Sequence, residues 1–241
     1  MSMNIKRTSL NLIPVLLKGL LRQLRAKFFD IYAVKAYSQE GEDMILRRIF
    51  EGQKNGFYID VGAHHPRRFS NTYYFYKQGW KGINIEPNPD ALIAFMTDRP
   101  RDLNLQFGVS DSTSALKYYY FDEPALNTFD EFVVKSRLTD TLYKVIKTED
   151  VAVDRLDNIL KKHMTMDVEI DFLSVDVEGF DLSVLRSNDW NLFRPKCVLA
   201  EALNMTLDEA MKSDVALFMI EQGYTVFART YNTIIFRDKI L

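Results

Sequence analysis

Five short apolar runs, four of them with an acid at or near the carboxyl end, constrain this chain more than any other feature. They span residues 57–63, 82–86, 103–109, 172–176 and 197–201, and the acids are Asp60, Glu86, Asp176 and Glu201. Helical patterns at 42–50, 89–97, 155–162, 180–187 and 208–222 precede or separate most of them, and 225–228 with 233–236 closes the chain as an antiparallel pair. Strands alternating with helices predict an α/β domain built on a mostly parallel sheet covered on both faces. In such a sheet, ligands bind beyond the carboxyl ends of the strands. One acid at a strand end commonly caps the helix that follows. Four along the same edge are harder to explain as caps, and they mark that edge as the functional one.

The length of 241 residues suits one domain of about 200 residues with an appendage. Cys197 is the single cysteine, so no intramolecular disulfide forms, and no Cys/His cluster offers a structural zinc site. A reducing, cytoplasmic setting is expected. The net charge of −2 hides an asymmetry: Lys6, Arg7, Lys18, Arg22, Arg25 and Lys27 stand in residues 1–29 without an acid, which leaves the remainder at −8. An acidic body argues against nucleic acid as the main partner, because phosphate neutralisation needs clustered Lys and Arg.

Residues 10–17 are apolar apart from Asn11 but much shorter than the roughly 20 residues a bilayer span needs. They lead into Arg22 and Arg25 rather than into a small-residue cleavage point, so neither a spanning helix nor a signal peptide is expected. Leu17, Leu20, Leu21, Leu24 and Phe28 form one stripe and Lys18, Arg22 and Arg25 another. Such a basic amphipathic helix suits three surfaces: an anionic membrane interface met by residues 4–29 at the inner face, the domain itself, or a second subunit in a homodimer. Periodicity does not choose among them.

Asp60-Val61-Gly62, followed about two dozen residues later by Glu86, has the spacing of a βαβ nucleotide-binding half, with the second acid placed to accept from ribose hydroxyls. A dinucleotide fingerprint needs three glycines before a helix that receives a pyrophosphate. This loop reads Gly62-Ala63-His64-His65-Pro66. A ribose-bearing ligand without a pyrophosphate fits better, and S-adenosylmethionine is the first candidate. Ser110 and Asp111, after the third run, are placed to contact an adenine.

Three stretches carry a family resemblance: 58–63, Ser70-Asn71-Thr72, and 79–89, which reads GWKGINIEPNP. With Val153-Asp154-Arg155-Leu156-Asp157 and Asp176-Val177-Glu178-Gly179-Phe180-Asp181, they resemble the FkbM-type S-adenosylmethionine-dependent methyltransferases over residues 37–204. The resemblance implies a class I, Rossmann-like methyltransferase fold with seven strands. It also implies O-methylation of a sugar or polyketide-type hydroxyl, often in bacterial polysaccharide or glycolipid pathways; the alternatives are a methyltransferase for a small natural-product hydroxyl or carboxylate and a catalytically idle cofactor-binding scaffold. It assigns Asp60, Gly62 and Ala63 to the cofactor loop, Glu86 with Asn88 to the ribose edge, and Ser110 with Asp111 to the adenine. The His64-His65-Pro66 loop departs from the commoner Gly-Ala-Asn continuation of the family and resembles the form of a bacterial subgroup. On this basis residues 1–36 are an N-terminal helical segment and 37–241 the methyltransferase domain.

Methyl transfer to a hydroxyl needs in-line positioning and a route for the proton, through a general base or a metal. Asp176, Glu178 and His64 are the catalytic candidates. In one reading a neutral His64 or His65 is the base, oriented by Asp176 or Glu178. In a second, a histidine joins those two carboxylates around a magnesium or manganese ion. In a third, the histidines only pack the loop or face solvent. Residues 112–150 are longer than a connector requires, and their aromatic run 118–121 suits either a sugar-binding lid or a buried dimer hairpin. Residues 73–76 read as core packing of the first crossover helix.

Overall fold

The computed structural model describes residues 32–140, 142–165 and 167–239, together with Gly19. The chain divides into two units, Met1–Lys35 and Ala36–Leu241. The expected basic helix falls almost wholly outside the described residues. Among those described, no helix is long and apolar enough to cross a membrane.

The second unit opens with α1 (Glu42–Ile49), β1 (Phe57–Val61), α2 (Tyr73–Lys77), β2 (Lys81–Ile85), α3 (Pro89–Asp98) and β3 (Leu103–Leu105). There follow β4 (Gly108–Val109), β5 (Ser114–Phe121), α4 (Glu131–Asp140), β6 (Val145–Asp154), α5 (Leu156–His163), β7 (Phe172–Val175) and α6 (Asp181–Arg186). β8 (Cys197–Glu201), α7 (Leu207–Ala210), α8 (Asp214–Glu221), β9 (Tyr224–Arg229) and β10 (Thr233–Asp238) complete it. Seven strands form one sheet in the order β3-β2-β1-β7-β8-β10-β9. Its strand pairs are parallel except where β10 runs antiparallel to both neighbours.

Side chains alternate across this sheet with period two, as pleating requires. Tyr58, Phe172, Cys197, Leu199 and Ile235 face one way and pack with Leu46, Phe50, Phe75, Tyr76 and Trp80. Ile59, Val61, Leu173, Val175, Val198, Ala200, Ile234 and Phe236 face the other way, over a second core that includes Leu156, Leu160, Val184 and Leu185. Two buried faces explain why these strands read as continuous apolar runs. Phe75 and Tyr76 lie in the first core, as expected of the crossover helix.

Two elements differ from the sequence expectation. The run 103–109 is not one strand: β4 leaves the main sheet and pairs with β6 in a second sheet, ordered β4-β6-β5. The space a Gly108 Cβ would need is filled by the Phe129 and Val153 side chains, so any larger residue would have to push them aside. The helix expected over 208–222 is two, because Ser213 caps a new start by accepting from the Ala216 N–H.

A buried polar knot joins β1, β2 and α3 beneath the carboxyl edge. Arg99 is fully buried; its Nε donates to Asp102 (2.9 Å), its Nη1 to the Pro66 carbonyl (3.0 Å), and its Nη2 to the Tyr58 hydroxyl (3.0 Å) and Thr72 Oγ1 (2.9 Å). Thr72 in turn donates to Asp60 (2.8 Å). Removing the guanidinium strands a buried carboxylate. Arg99→Met should therefore cost about 3–5 kcal/mol of unfolding free energy in urea titration. A loss below about 1 kcal/mol would show that the knot is not structural.

Candidate active site

A cleft open to solvent lies at the carboxyl ends of β1, β2 and β7. Its lining includes Asp60, Gly62, Ala63, His64, Glu86, Asp176 and Glu178, with Phe107, Val109, Tyr118 and Phe129 as apolar wall. Four carboxylates line it and, among the described residues, no lysine or arginine does.

Each acid is held by a different device. Asp60 stands opposite Asn84 and Ser174 in register and accepts from Thr72; burial nevertheless pushes its carboxyl up to about 6. Glu86 accepts from the Asn88 N–H through Oε1 (2.8 Å) and from the His64 N–H through Oε2 (2.8 Å), and burial raises it to about 7. Those N–H bonds fix the carboxylate from behind and leave acceptor capacity for the cleft. Asn88 acts through Glu86 and caps α3 through its side chain, accepting from the Asp90 N–H; it is not part of the lining.

Gly62 has φ +76, and a Cβ there would meet the Asp176 carbonyl at 1.9 Å. The glycine thus permits the close approach of the β1 and β7 loops while lining the cleft. The Asp176 loop is pinned from the insertion: Thr128 Oγ1 donates to the Glu178 carbonyl (2.8 Å), and Arg137 pairs with the Glu178 carboxylate. Val133 of α4 lies where a Gly179 Cβ would be.

A second cavity adjoins the cleft and shares Gln39, Phe69, Asn71, Asp176 and Glu178 with it. Asp176, Glu178 and Glu201 bring their carboxylates within 4.8 Å of one another. Asp176 is exposed to the cavities, yet enclosure by the walls, then the Glu178 and Asp181 charges, raise it well above the usual carboxylate range. Burial and the Asp176 charge do the same to Glu201, and the two carboxyls lie within hydrogen-bonding contact, so they titrate as a pair. All four non-glycine residues with positive φ among those described, His64, Phe69, Glu178 and Asn204, line these two cavities. Strained backbone concentrates at functional sites.

The expected metal set is not assembled as a group, because neither histidine joins the carboxylates. His65 Nδ1 instead accepts from the N–H groups of Arg67 (3.0 Å) and Arg68 (2.9 Å), capping its own turn. The His64 ring stacks beside Phe69, its Nε2 is shielded without a hydrogen-bond partner, and burial lowers its pKa to about 4. Ser110 and Asp111 lie outside the lining as well. Ser110 N–H donates to the Asp154 carbonyl (3.1 Å) and Asp111 N–H to Ser183 Oγ (3.1 Å), tying β4 to β6 and α6. Tyr118 and Phe129 are the insertion aromatics that reach the cleft, while Tyr120 and Phe121 are buried.

Sequence reasoning put Glu201 on the functional edge without giving it a role. It also left the Ser70-Asn71-Thr72 triplet unexplained: Thr72 holds Asp60, and Asn71 Nδ2 donates to Ser174 Oγ (3.0 Å).

The family model of the methyltransferase FkbM domain matches residues 60–226, which takes in every acid of the cleft. The chain belongs to the FkbM methyltransferase family. No curated protein matches it. Among solved structures it is similar to a TehB-like SAM-dependent methyltransferase from Corynebacterium glutamicum, at 10% identity and TM-score 0.39, covering 92% of this chain and 97% of that one. It is also similar to an O-methyltransferase from Bacillus cereus in complex with SAH (12%, TM-score 0.41, 96% and 94% covered) and to an SAH-bound methyltransferase from Podospora anserina (12%, TM-score 0.43, 99% and 96% covered). The family assignment does not rest on these distant likenesses.

Asp60, Glu86 and Asp181, the last at about 7 through burial, all have folded pKa values above the ordinary carboxylate range. These three groups hold more protons in the folded state than in the unfolded one between about pH 4.5 and 7, and they outnumber His64, which is lowered to about 4 and works the other way, so stability falls as pH rises through that window. The thermal midpoint should drop from pH 5 to 8, with a shallower slope in Glu86→Gln. An unchanged slope in that variant would contradict the burial of Glu86.

Proposed function

We propose that the protein transfers a methyl group from S-adenosylmethionine to a hydroxyl of a sugar, in a cell-surface polysaccharide or glycolipid precursor. The observation that carries the cofactor is the charge of the cleft: four carboxylates, of which only Glu178 is paired with a cation, and no lysine or arginine among the described residues that line it. A pyrophosphate there would be repelled, whereas a sulfonium cation is attracted. Glu86, braced from behind by two N–H donors, suits a ribose diol, and Phe107 with Val109 offers the apolar wall an adenine needs.

When bound, S-adenosylmethionine supplies an electrophilic methyl group and departs as a neutral thioether. The chain's own part is to orient the acceptor hydroxyl, exclude water and take its proton. Asp176 is the proton acceptor in this reading, because it lies where the two cavities meet and shares its titration with Glu201. The pair keeps one carboxylate available while the other holds a proton, as two adjacent carboxyls do. Glu178, neutralised by Arg137, shapes the loop. His64, neutral at physiological pH and without a carboxylate partner, walls the cleft rather than serving as the base. The sugar is supported by the family's usual acceptors and by the mix of amide, carboxylate and aromatic groups that line the second cavity.

The test is methyl transfer from labelled S-adenosylmethionine to a panel of glycan acceptors. Asp176→Asn should lower turnover at least about 100-fold, the usual worth of a positioned base, and His64→Ala should lower it far less. Wild-type turnover in Asp176→Asn would reject the assignment.

A further inference from the structure

We infer that Asn71 orients the acceptor: its side-chain carbonyl oxygen accepts a hydrogen bond from a hydroxyl beside the one that is methylated, so the substrate is a vicinal diol. The inference deepens the methyltransferase reading of the cleft and rests on it.

Five of the described residues line both the cleft and the second cavity, where a cofactor and an acceptor would meet: Gln39, Phe69, Asn71, Asp176 and Glu178. Phe69 is apolar, Glu178 is paired with Arg137, and Asp176 is the proposed proton acceptor. Gln39 is exposed, whereas Asn71 stands between two buried residues that hydrogen bonds lock in place. Ser70 donates its N–H to the Tyr37 carbonyl (3.1 Å) and accepts from the Tyr73 N–H at Oγ (3.1 Å). Thr72 is tied to Arg99 and Asp60. Asn71 is therefore the polar group at the junction, beyond the acids, whose place the fold fixes.

The sense of its amide follows from the donors around it. Asp60, at about 6, is mostly ionised at pH 7, and a carboxylate only accepts. The Thr72 and Ser174 hydroxyls both donate to it. Ser174 has one proton, which is spent on Asp60, so its Oγ accepts from Asn71 Nδ2 (3.0 Å). That bond turns Asn71 Oδ1 away from Ser174. Oδ1 has no hydrogen-bond partner among the described residues, and it is not one of the polar atoms shielded from solvent. It is an oriented acceptor, open to the cavities.

Ser174 and Asp176 are two residues apart, and the Asp176 N–H continues the ladder of β7 by donating to the Val61 carbonyl (3.0 Å). Their side chains thus share a face, about 7 Å apart by strand rise. Asn71, hung on Ser174, stands beside Asp176, and two hydroxyls on adjacent carbons reach both groups at once. On methyl transfer the oxygen–carbon bond forms as the carbon–sulfur bond breaks, and the reacting hydroxyl passes its proton to Asp176. The neighbouring hydroxyl keeps its own proton and donates it to Asn71 Oδ1. An acceptor without that neighbour, or with it already methylated, leaves Oδ1 unpaired in an enclosed site.

The test is methyl transfer by the full chain from labelled S-adenosylmethionine to the methyl glycosides of glucose, galactose, mannose and rhamnose. The best of the four is then compared with its deoxy counterparts at the carbons beside the methylated one. In the wild type, loss of the neighbouring hydroxyl should raise KM about five- to tenfold, the usual worth of one hydrogen bond. Asn71→Ala should raise KM for the parent glycoside by a similar factor, and in that variant the deoxy counterpart should lose nothing further. S-adenosylhomocysteine binding should stay within about twofold of the wild type, because the contact is to the acceptor. A residue that only shapes the loop would leave the deoxy penalty intact in Asn71→Ala, and that result would overturn the inference. So would the absence of a deoxy penalty in the wild type, which needs no variant to read, or methylation of none of the four by a chain that binds S-adenosylhomocysteine. Weaker S-adenosylhomocysteine binding in an Asn71→Ala chain of unchanged thermal midpoint would also overturn it, since Asn71 would then serve the cofactor. Failure of the wild type to bind S-adenosylhomocysteine would instead strike the methyltransferase reading beneath it.

Discussion

Crowding of like charge at the carboxyl edge of the sheet is the constraint on which the rest of the structure depends. Asp60, Glu86, Asp176, Glu178 and Glu201 stand at the ends of four strands or in the loop just after one, around two adjoining cavities. Carboxylates so placed repel one another and lose hydration, and both effects favour the protonated form. The fold answers from beneath the cavities. Arg99 and Thr72 support Asp60, backbone N–H groups hold Glu86, Arg137 neutralises Glu178, and Asp181 accepts from the Glu201 N–H (3.1 Å). Each support lies outside the reacting space or pairs with a single acid, so the cleft itself stays electronegative.

The insertion between β4 and α5 gains a role from the same constraint. Its hairpin β5–β6 forms a small sheet with β4, and Asp154 at its end accepts from Thr113 Oγ1 (2.9 Å) and Asn158 Nδ2 (2.9 Å). From that base, Thr128 and Arg137 reach the Asp176–Phe180 loop and hold Glu178 and Gly179 in left-handed backbone. The insertion thus acts as a clamp on the loop that carries the proposed proton acceptor, and it contributes Tyr118 and Phe129 to the cleft wall. Gly62 does the complementary work from β1, letting the two loops approach to a distance that no side chain would allow.

The main sheet was legible because its strands are buried on both faces and end in marked residues, and the order of runs along the chain follows the alternation of helices. The acids Asp60, Glu86 and Asp176 were legible for the same reason: strand ends are readable positions. What escaped depends on contacts between distant segments. The apolar run at 103–109 conceals the step by which β4 leaves for another sheet, and that step carries Ser110 and Asp111 away from the cleft lining. The histidine loop suggests a metal set by composition, yet the backbone turns His65 onto its own N–H groups and packs His64 beside Phe69. Glu201 needed its neighbours, since its meaning comes from Asp176 and Glu178, more than twenty residues earlier in the chain. The Ser70-Asn71-Thr72 triplet is polar sequence ahead of a helix, and nothing local shows that it supports Asp60 and Ser174.

The central claim is that an electronegative cleft at the strand ends takes a ribose-bearing ligand without a pyrophosphate. Isothermal titration of the purified protein with S-adenosylhomocysteine, and with NADH as the control, tests it most directly. The account predicts micromolar binding of S-adenosylhomocysteine and none of NADH. Binding of NADH, or of neither ligand by folded protein, would contradict it.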